Sequence, residues 1–107
     1  MANTYKNAKF DFTDTDNETI LTTPAGATNI IKSILVTEDS NNADTITITI
    51  TDTASAVIPI FKDKAISAKA TVELLTQPLV LQDSEILKAQ VATGNRLHIV
   101  ASYLEIS

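Results

Sequence analysis

Few side chains in this sequence have the type and spacing to do chemistry. His98 is its single histidine, and acid–base work needs a second titratable group within hydrogen-bond reach. It sits mid-run among apolar residues on the parity of Arg96, where a packed or interface histidine is expected. One histidine cannot build the several-histidine metal site of a cupin. Glycine occurs only at Gly26 and Gly94, too sparsely for a phosphate-cradling loop. The serines (Ser33, Ser40, Ser55, Ser67, Ser84, Ser102 and Ser107) match no nucleophile elbow. Cysteine is absent, which removes disulfides, thiolate catalysis and zinc–thiolate sites. No catalytic or cofactor-binding residue is expected, and the protein is expected not to be an enzyme.

Two acidic loops have a composition that suits a hard cation. Asp11, Asp14, Asp16, Asn17 and Glu18 make the first; Glu38, Asp39, Asn41, Asn42 and Asp44 make the second. Calcium wants six to eight oxygens, and each loop could offer only some of them, with Asp14, Asp16, Asp39 and Asp44 as candidate ligands. Turn chemistry accounts for the same residues, because Asp and Asn side chains mimic a backbone turn. A sugar site would want an aromatic platform, but Trp is missing and Tyr5, Phe10, Phe12, Phe61 and Tyr103 fall mostly on core parities.

The elements that position these groups are strands. Residues 44–52 alternate Ile46, Ile48 and Ile50 with Thr45, Thr47, Thr49 and Thr51, the two-residue period of a strand with one apolar and one polar face. Sixteen Thr and thirteen Ile among 107 residues give a β composition with an aliphatic core. Pro24 and Gly26 end a short strand. Residues 28–37 are β-branched and apolar on both parities, and an antiparallel hairpin with 44–52 is expected across the loop between them. Pro59 sends residues 56–62 to a sheet edge or a bulge. Residues 64–70 read as a loop with Ile66 tucked inward. A strand at 71–75 bends at Gln77-Pro78 and resumes at 79–81; another covers 85–92. Thr93-Gly94-Asn95 is a tight turn, with Gly and Asn supplying positive φ. Leu97, Ile99, Ala101 and Tyr103 share one face of a long final strand. The expected fold is all-β, one antiparallel jelly-roll-like sandwich of about eight strands over residues 1–107, with 1–17 as an extended N-terminal arm or strand.

The formal charge of −5 and the lack of a basic cluster disfavour nucleic acid and anionic membranes as partners. No apolar run approaches a bilayer span, and the opening Met-Ala-Asn-Thr-Tyr-Lys lacks the apolar stretch of a secretory signal. Apolar residues on the second face of a strand point to burial against another chain, most simply a copy of this one. Strand parity selects Ile34, Val36, Thr45, Thr47, Thr49, Val100, Leu104 and Ile106 as interface candidates.

The run from Thr22-Thr-Pro-Ala-Gly through Lys32-Ser-Ile, the strand at 44–51, residues 75–81, Glu85-Ile-Leu-Lys-Ala-Gln and the ending Leu97-His-Ile-Val-Ala-Ser-Tyr-Leu-Glu-Ile follow in a recurring order. In this order the chain resembles small virion structural proteins of tailed bacteriophages, frequent in phages of marine and cyanobacterial hosts. That likeness covers the chain from about Thr19 onward. It departs where those proteins place glycine, at Lys69-Ala70 and Asp83-Ser84 here. The resemblance implies no catalytic residues. It implies a virion component assembled in the host cytoplasm, a homo-oligomer (trimer or higher) that binds phage structural proteins such as the major capsid protein. A capsid decoration, or cement, protein is the first expectation. A neck, tail or baseplate accessory protein is the second, and a lectin-like receptor binder the third.

Overall fold

The structure, a computed structural model, describes residues 2–107. Among them are nine antiparallel strands: β1 (Asn3–Asp11), β2 (Glu18–Thr22), β3 (Thr28–Glu38), β4 (Asp44–Thr51), β5 (Val57–Ile66), β6 (Thr71–Glu73), β7 (Leu79–Leu81), β8 (Ile86–Val91) and β9 (Leu97–Ile106). Sheet A runs β1-β9-β3-β6, with β7 beside β6 on the same edge of β3; sheet B runs β2-β8-β4-β5. The expected single strand with a bend at Pro78 is therefore β6 and β7, which pair with opposite ends of β3.

Successive connections carry the chain from one sheet to the other: β1 lies in A, β2 in B, β3 in A and β4 in B. This winding between two antiparallel layers is that of the all-β sandwich expected from the strand count. It also overturns one pairing, because β3 and β4 belong to different sheets and form no hairpin. β3 pairs instead with β9, 37↔98 to 28↔106, and β4 with β8 and β5. β3 takes a central position in sheet A, which local sequence cannot distinguish from a hairpin partner.

The threonine–isoleucine alternation does what its period requires. Ile46 and Ile48 are completely buried, while Thr45 and Thr47 lie half-exposed on the outer face of sheet B. They meet Leu87, Ile99, Leu97, Ile34, Val36 and Phe12 in one core between the sheets. Each fully buried aliphatic side chain there contributes roughly 1.5–3 kcal/mol. Ile66 is buried as expected, but as the last residue of β5. That strand is the edge of sheet B, and its register slips on both sides of Ile48, once in the step to Thr49, which faces Pro59.

Gly94 is needed for closeness and not for positive φ. A Cβ there would stand 2.5 Å from the Thr13 carbonyl oxygen. In this turn the left-handed residue is Asn95, at φ 63°.

Candidate interaction surface

The outer face of sheet A is set by register. Tyr5 lies opposite Leu104, Leu104 opposite Ile30, and Ile30 opposite Val80. One unbroken apolar row therefore crosses β1, β9, β3 and β7. Tyr5 is 77% exposed and Val80 50%, although large apolar side chains lined up across a sheet are ordinarily covered. Ile106 continues the row toward the chain end, and Leu35 and Val100 sit side by side further along the same face.

The interface candidates separate on this geometry. Val100, Leu104 and Ile106 are half-buried on the outer face of sheet A. Thr45 and Thr47 are half-buried on the outer face of sheet B, while Thr49 is 9% exposed between Lys88 and Pro59. Ile34 and Val36 are a correction: both are wholly buried in the core of this chain and present nothing to a neighbour. A register shift between Ile31 and Ser33 reverses the parity of β3, so its outward residues are Ile30 before the bulge and Leu35 after it. Apolar residues on both parities hid that bulge in the sequence. Tyr5 was not among the candidates, although it shares the odd parity of Lys9 and Asp11 that β1 turns to the outer face.

Glu73 supports the bulge. Its carboxylate accepts the Ser33 hydroxyl, the Ile34 N–H at 2.8 Å and the Leu75 N–H at 3.2 Å, standing where neither β6 nor β7 reaches β3. Burial opposes ionisation of this group, but those donors outweigh it and hold its pKa below the ordinary value.

The acidic loops gather at one end of the sandwich. Glu38, 1% exposed, accepts the N–H groups of Ser40 at 2.8 Å, Lys69 at 3.0 Å and Asn42 at 3.1 Å, and the Ser40 hydroxyl as well. Burial alone would raise its pKa. The Ser40 hydroxyl and the three backbone donors overcome that and hold it at about 2. Of the four candidate cation ligands, Asp39 and Asp44 are engaged elsewhere. An Asp39 oxygen lies 2.9 Å from His98 Nε2, and Asp44, 8% exposed, accepts the Thr93 N–H at 3.1 Å. Asp14 and Asp16 do converge with Glu18, their carboxylate oxygens all within 4.8 Å of one another. Burial and the charges of Asp14 and Asp16 push the Glu18 pKa up. Asp14 and Asp16 are exposed and Glu18 half-buried, and one oxygen from each would leave half or more of a calcium coordination sphere to other ligands.

His98 lies half-exposed on the outer face of sheet A. Its ring nitrogens lie 2.8 Å from Asp11 and 2.9 Å from Asp39. It ties β1, β9 and the loop after β3 together on the outer face.

The fold and this surface define a class, that of small antiparallel β-sandwiches with one sheet face left uncovered. No protein-family model matches the sequence, and no curated protein matches it. Solved structures do match by shape. A chain from the acidic stable capsid of Helicobacter pylori bacteriophage KHP30 aligns over 100% of this chain and 94% of its own, with a TM-score of 0.60 at 11% identity. The Drosophila NLP core, whose crystal structure bears on pentamer formation and histone binding, aligns over 97% of this chain and 99% of its own, with a TM-score of 0.56 at 16% identity. A protein of a bacteriophage capsid thus shares this fold, and both neighbours come from oligomeric assemblies.

Proposed function

We propose that this chain is a bacteriophage virion structural protein, a capsid decoration protein that stabilises the shell by adhesion and turns over no substrate. The observation that carries the reading is the apolar row Tyr5–Leu104–Ile30–Val80 across the outer face of sheet A, with Tyr5 and Val80 exposed at its ends. Such a row gains free energy when a partner excludes water from it, at about 25 cal/mol per Å² of apolar surface removed. Two further points support it. The capsid chain of bacteriophage KHP30 aligns with this one nearly end to end, so the two are of similar size. The acidic end of the sandwich and the net charge of −5 suit a position facing away from packaged DNA. The partners are other copies of this chain and phage structural proteins, with the major capsid protein first.

Quantitative mass spectrometry of purified virions tests the reading. A copy number comparable with that of the shell protein is expected of a decoration protein. A few copies per particle would move the chain to the neck, tail or baseplate, and absence from virions would end the proposal. Tyr5→Asp with Leu104→Asp is expected to leave the sandwich folded but strip it from the shell.

A further inference from the structure

Sheet edges with unpaired N–H and C=O groups invite further strands, and stable proteins blunt them. Among the described residues, three of the four edges here are blunted. β2 has five residues and a register shift between Thr19 and Leu21. β6 and β7 have three residues each. β5 carries Pro59, two register shifts and a left-handed Asp63 at φ 49°. β1 has none of these devices: its nine residues, Asn3 to Asp11, run in unbroken register with β9.

The direction of its free groups follows from its end. Ala2 and Ser107 exchange both backbone hydrogen bonds, at 3.0 and 2.9 Å. In an antiparallel ladder such pairs alternate with non-bonded ones. Even-numbered residues of β1 therefore bond to β9, and Asn3, Tyr5, Asn7, Lys9 and Asp11 aim N–H and C=O at the open edge. The same odd residues place their side chains on the outer face of sheet A.

We infer that the edge of β1 is the docking site for β1 of a second copy of this chain, paired antiparallel about a two-fold axis through Asn7. A two-fold axis normal to the sheet keeps outer face beside outer face, so paired residues share parity and their numbers sum to an even value. Centring on Asn7 pairs the whole strand and uses the edge-facing residues as the hydrogen-bonded pairs. It sets Asn3 opposite Asp11, Tyr5 opposite Lys9, and Asn7 opposite its own copy. Lys9 then lies over the Tyr5 ring in cation–π geometry, and no like charges meet. Shifting the axis to Lys6 or to Lys9 places two lysines directly opposite each other, which destabilises a cross-strand pair. Lys6 itself is already held by Glu105, 2.8 Å away.

The outer faces also join. The row Val80–Ile30–Leu104–Tyr5 of one copy continues through the Lys9 stem of the other into its Val100 and Leu35, which are register neighbours. Two such rows, related by the axis, cross the combined sheet. The contact is isologous and closes as a pair, giving the assembly a two-fold building block in place of the trimer expected from sequence. It goes beyond the virion reading and stands or falls separately, since copy number tests that reading and association in solution tests this one.

The protein has no cysteine, so Asn7→Cys introduces a unique thiol. Hydrogen-bonded antiparallel pairs bring Cα atoms to about 5.5 Å, inside the disulfide range. Mild oxidation of Asn7→Cys is expected to give a covalent dimer on non-reducing gels, while Ser55→Cys in the far hairpin gives none. Sedimentation of the wild type is expected to show a dimer. Asn7→Pro removes an edge-facing N–H without touching the β9 ladder, and is expected to weaken association at least about tenfold while melting like the wild type at dilutions where both are monomeric. A monomeric wild type, an oligomer indifferent to Asn7→Pro, or cross-linking no better at residue 7 than at residue 55 overturns the inference, as does a β1 edge occupied only by another virion protein.

Discussion

Residues 14–18 and 38–44 look alike in sequence, two short runs of Asp, Asn and Glu between strands, and they fold on opposite principles. In 38–44 two carboxylates are drawn inside, Glu38 and Asp44. Glu38 gathers donors from its own loop and from Lys69, which belongs to the connection between β5 and β6. In 14–18 the carboxylates of Asp14, Asp16 and Glu18 stay outside, crowd one another and gain little beyond an Asp14 turn, the Asp16 N–H donating to it at 3.0 Å. One loop uses its charge to organise backbone; the other spends stability to keep charge at the surface. What separates them is the supply of unpaired N–H groups. A crossing between sheets next to a left-handed Lys69 leaves donors that only a buried acceptor can satisfy, whereas the first loop is held by backbone bonds such as Asn95 N–H to the Phe12 carbonyl, 2.8 Å.

The largest expected effect follows from that difference. Glu38→Gln keeps the shape but puts an amide where four donors converge, so the –NH₂ faces N–H groups and some lose their acceptor. A large fall in melting temperature is expected, while Asp16→Asn at the first loop leaves it nearly unchanged. Equal effects from the two substitutions, read by thermal denaturation, would break the comparison. Next in size is Gly94→Ala, which drives a Cβ onto the Thr13 carbonyl and should cost about 1–3 kcal/mol through the one close backbone approach that anchors the first loop. Urea denaturation measures it.

Acid titration separates the loops by sign. The folded pKa of Glu38, about 2, lies below its ordinary 4.5. Its contribution is therefore present above pH 4.5 and is lost as pH falls toward 2. Glu73 and Asp83, also lowered, add to that acid limb. Glu18 is raised above 4.5, so its contribution is complete below pH 4.5 and is lost as pH rises through its folded value. Melts across pH are expected to show a slight gain on acidifying toward 4.5 and a steep loss below it. Glu18→Gln should flatten the gain, and Glu38→Gln should shrink the acid limb. A wild-type curve flat from neutrality to pH 3 would contradict both assignments.

Much of the fold was legible because side-chain period and burial agree in β4 and β8, where the apolar parity meets the core. Legibility failed where both parities are apolar. In β3 the bulge at Lys32 flips the outward face from Ile30 to Leu35, and no residue type marks it. The expected β3–β4 hairpin failed because a short loop carries no record of whether it turns within a sheet or crosses to the other. For the surface, Leu104 and Val100 followed from parity, but the row they belong to depends on partners far away in sequence, Tyr5 and Val80. Glu38 was visible only as one acid among several; one of the four donors that converge on it comes from residue 69, far away in sequence.

Lys69 offers the finest test of how the second loop is held. Its φ of 59° is left-handed, a conformation that costs an L-residue roughly 1–2 kcal/mol. The Lys69 side chain is exposed, and what the loop uses is its N–H, 3.0 Å from Glu38. Lys69→Gly keeps that N–H and removes the strain, while adding about 0.5–1 kcal/mol of unfolded-state entropy. A net stabilisation of about 0.5 kcal/mol is expected, and Lys69→Val should destabilise, because a β-branched residue fits the left-handed region worst. In a Glu38→Gln background the left-handed turn no longer has its full acceptor, so the gain from Lys69→Gly should shrink. Additive effects in that double mutant, measured by chemical denaturation, would mean the turn is set by β5 and β6 alone and that Glu38 merely fills the space beside it.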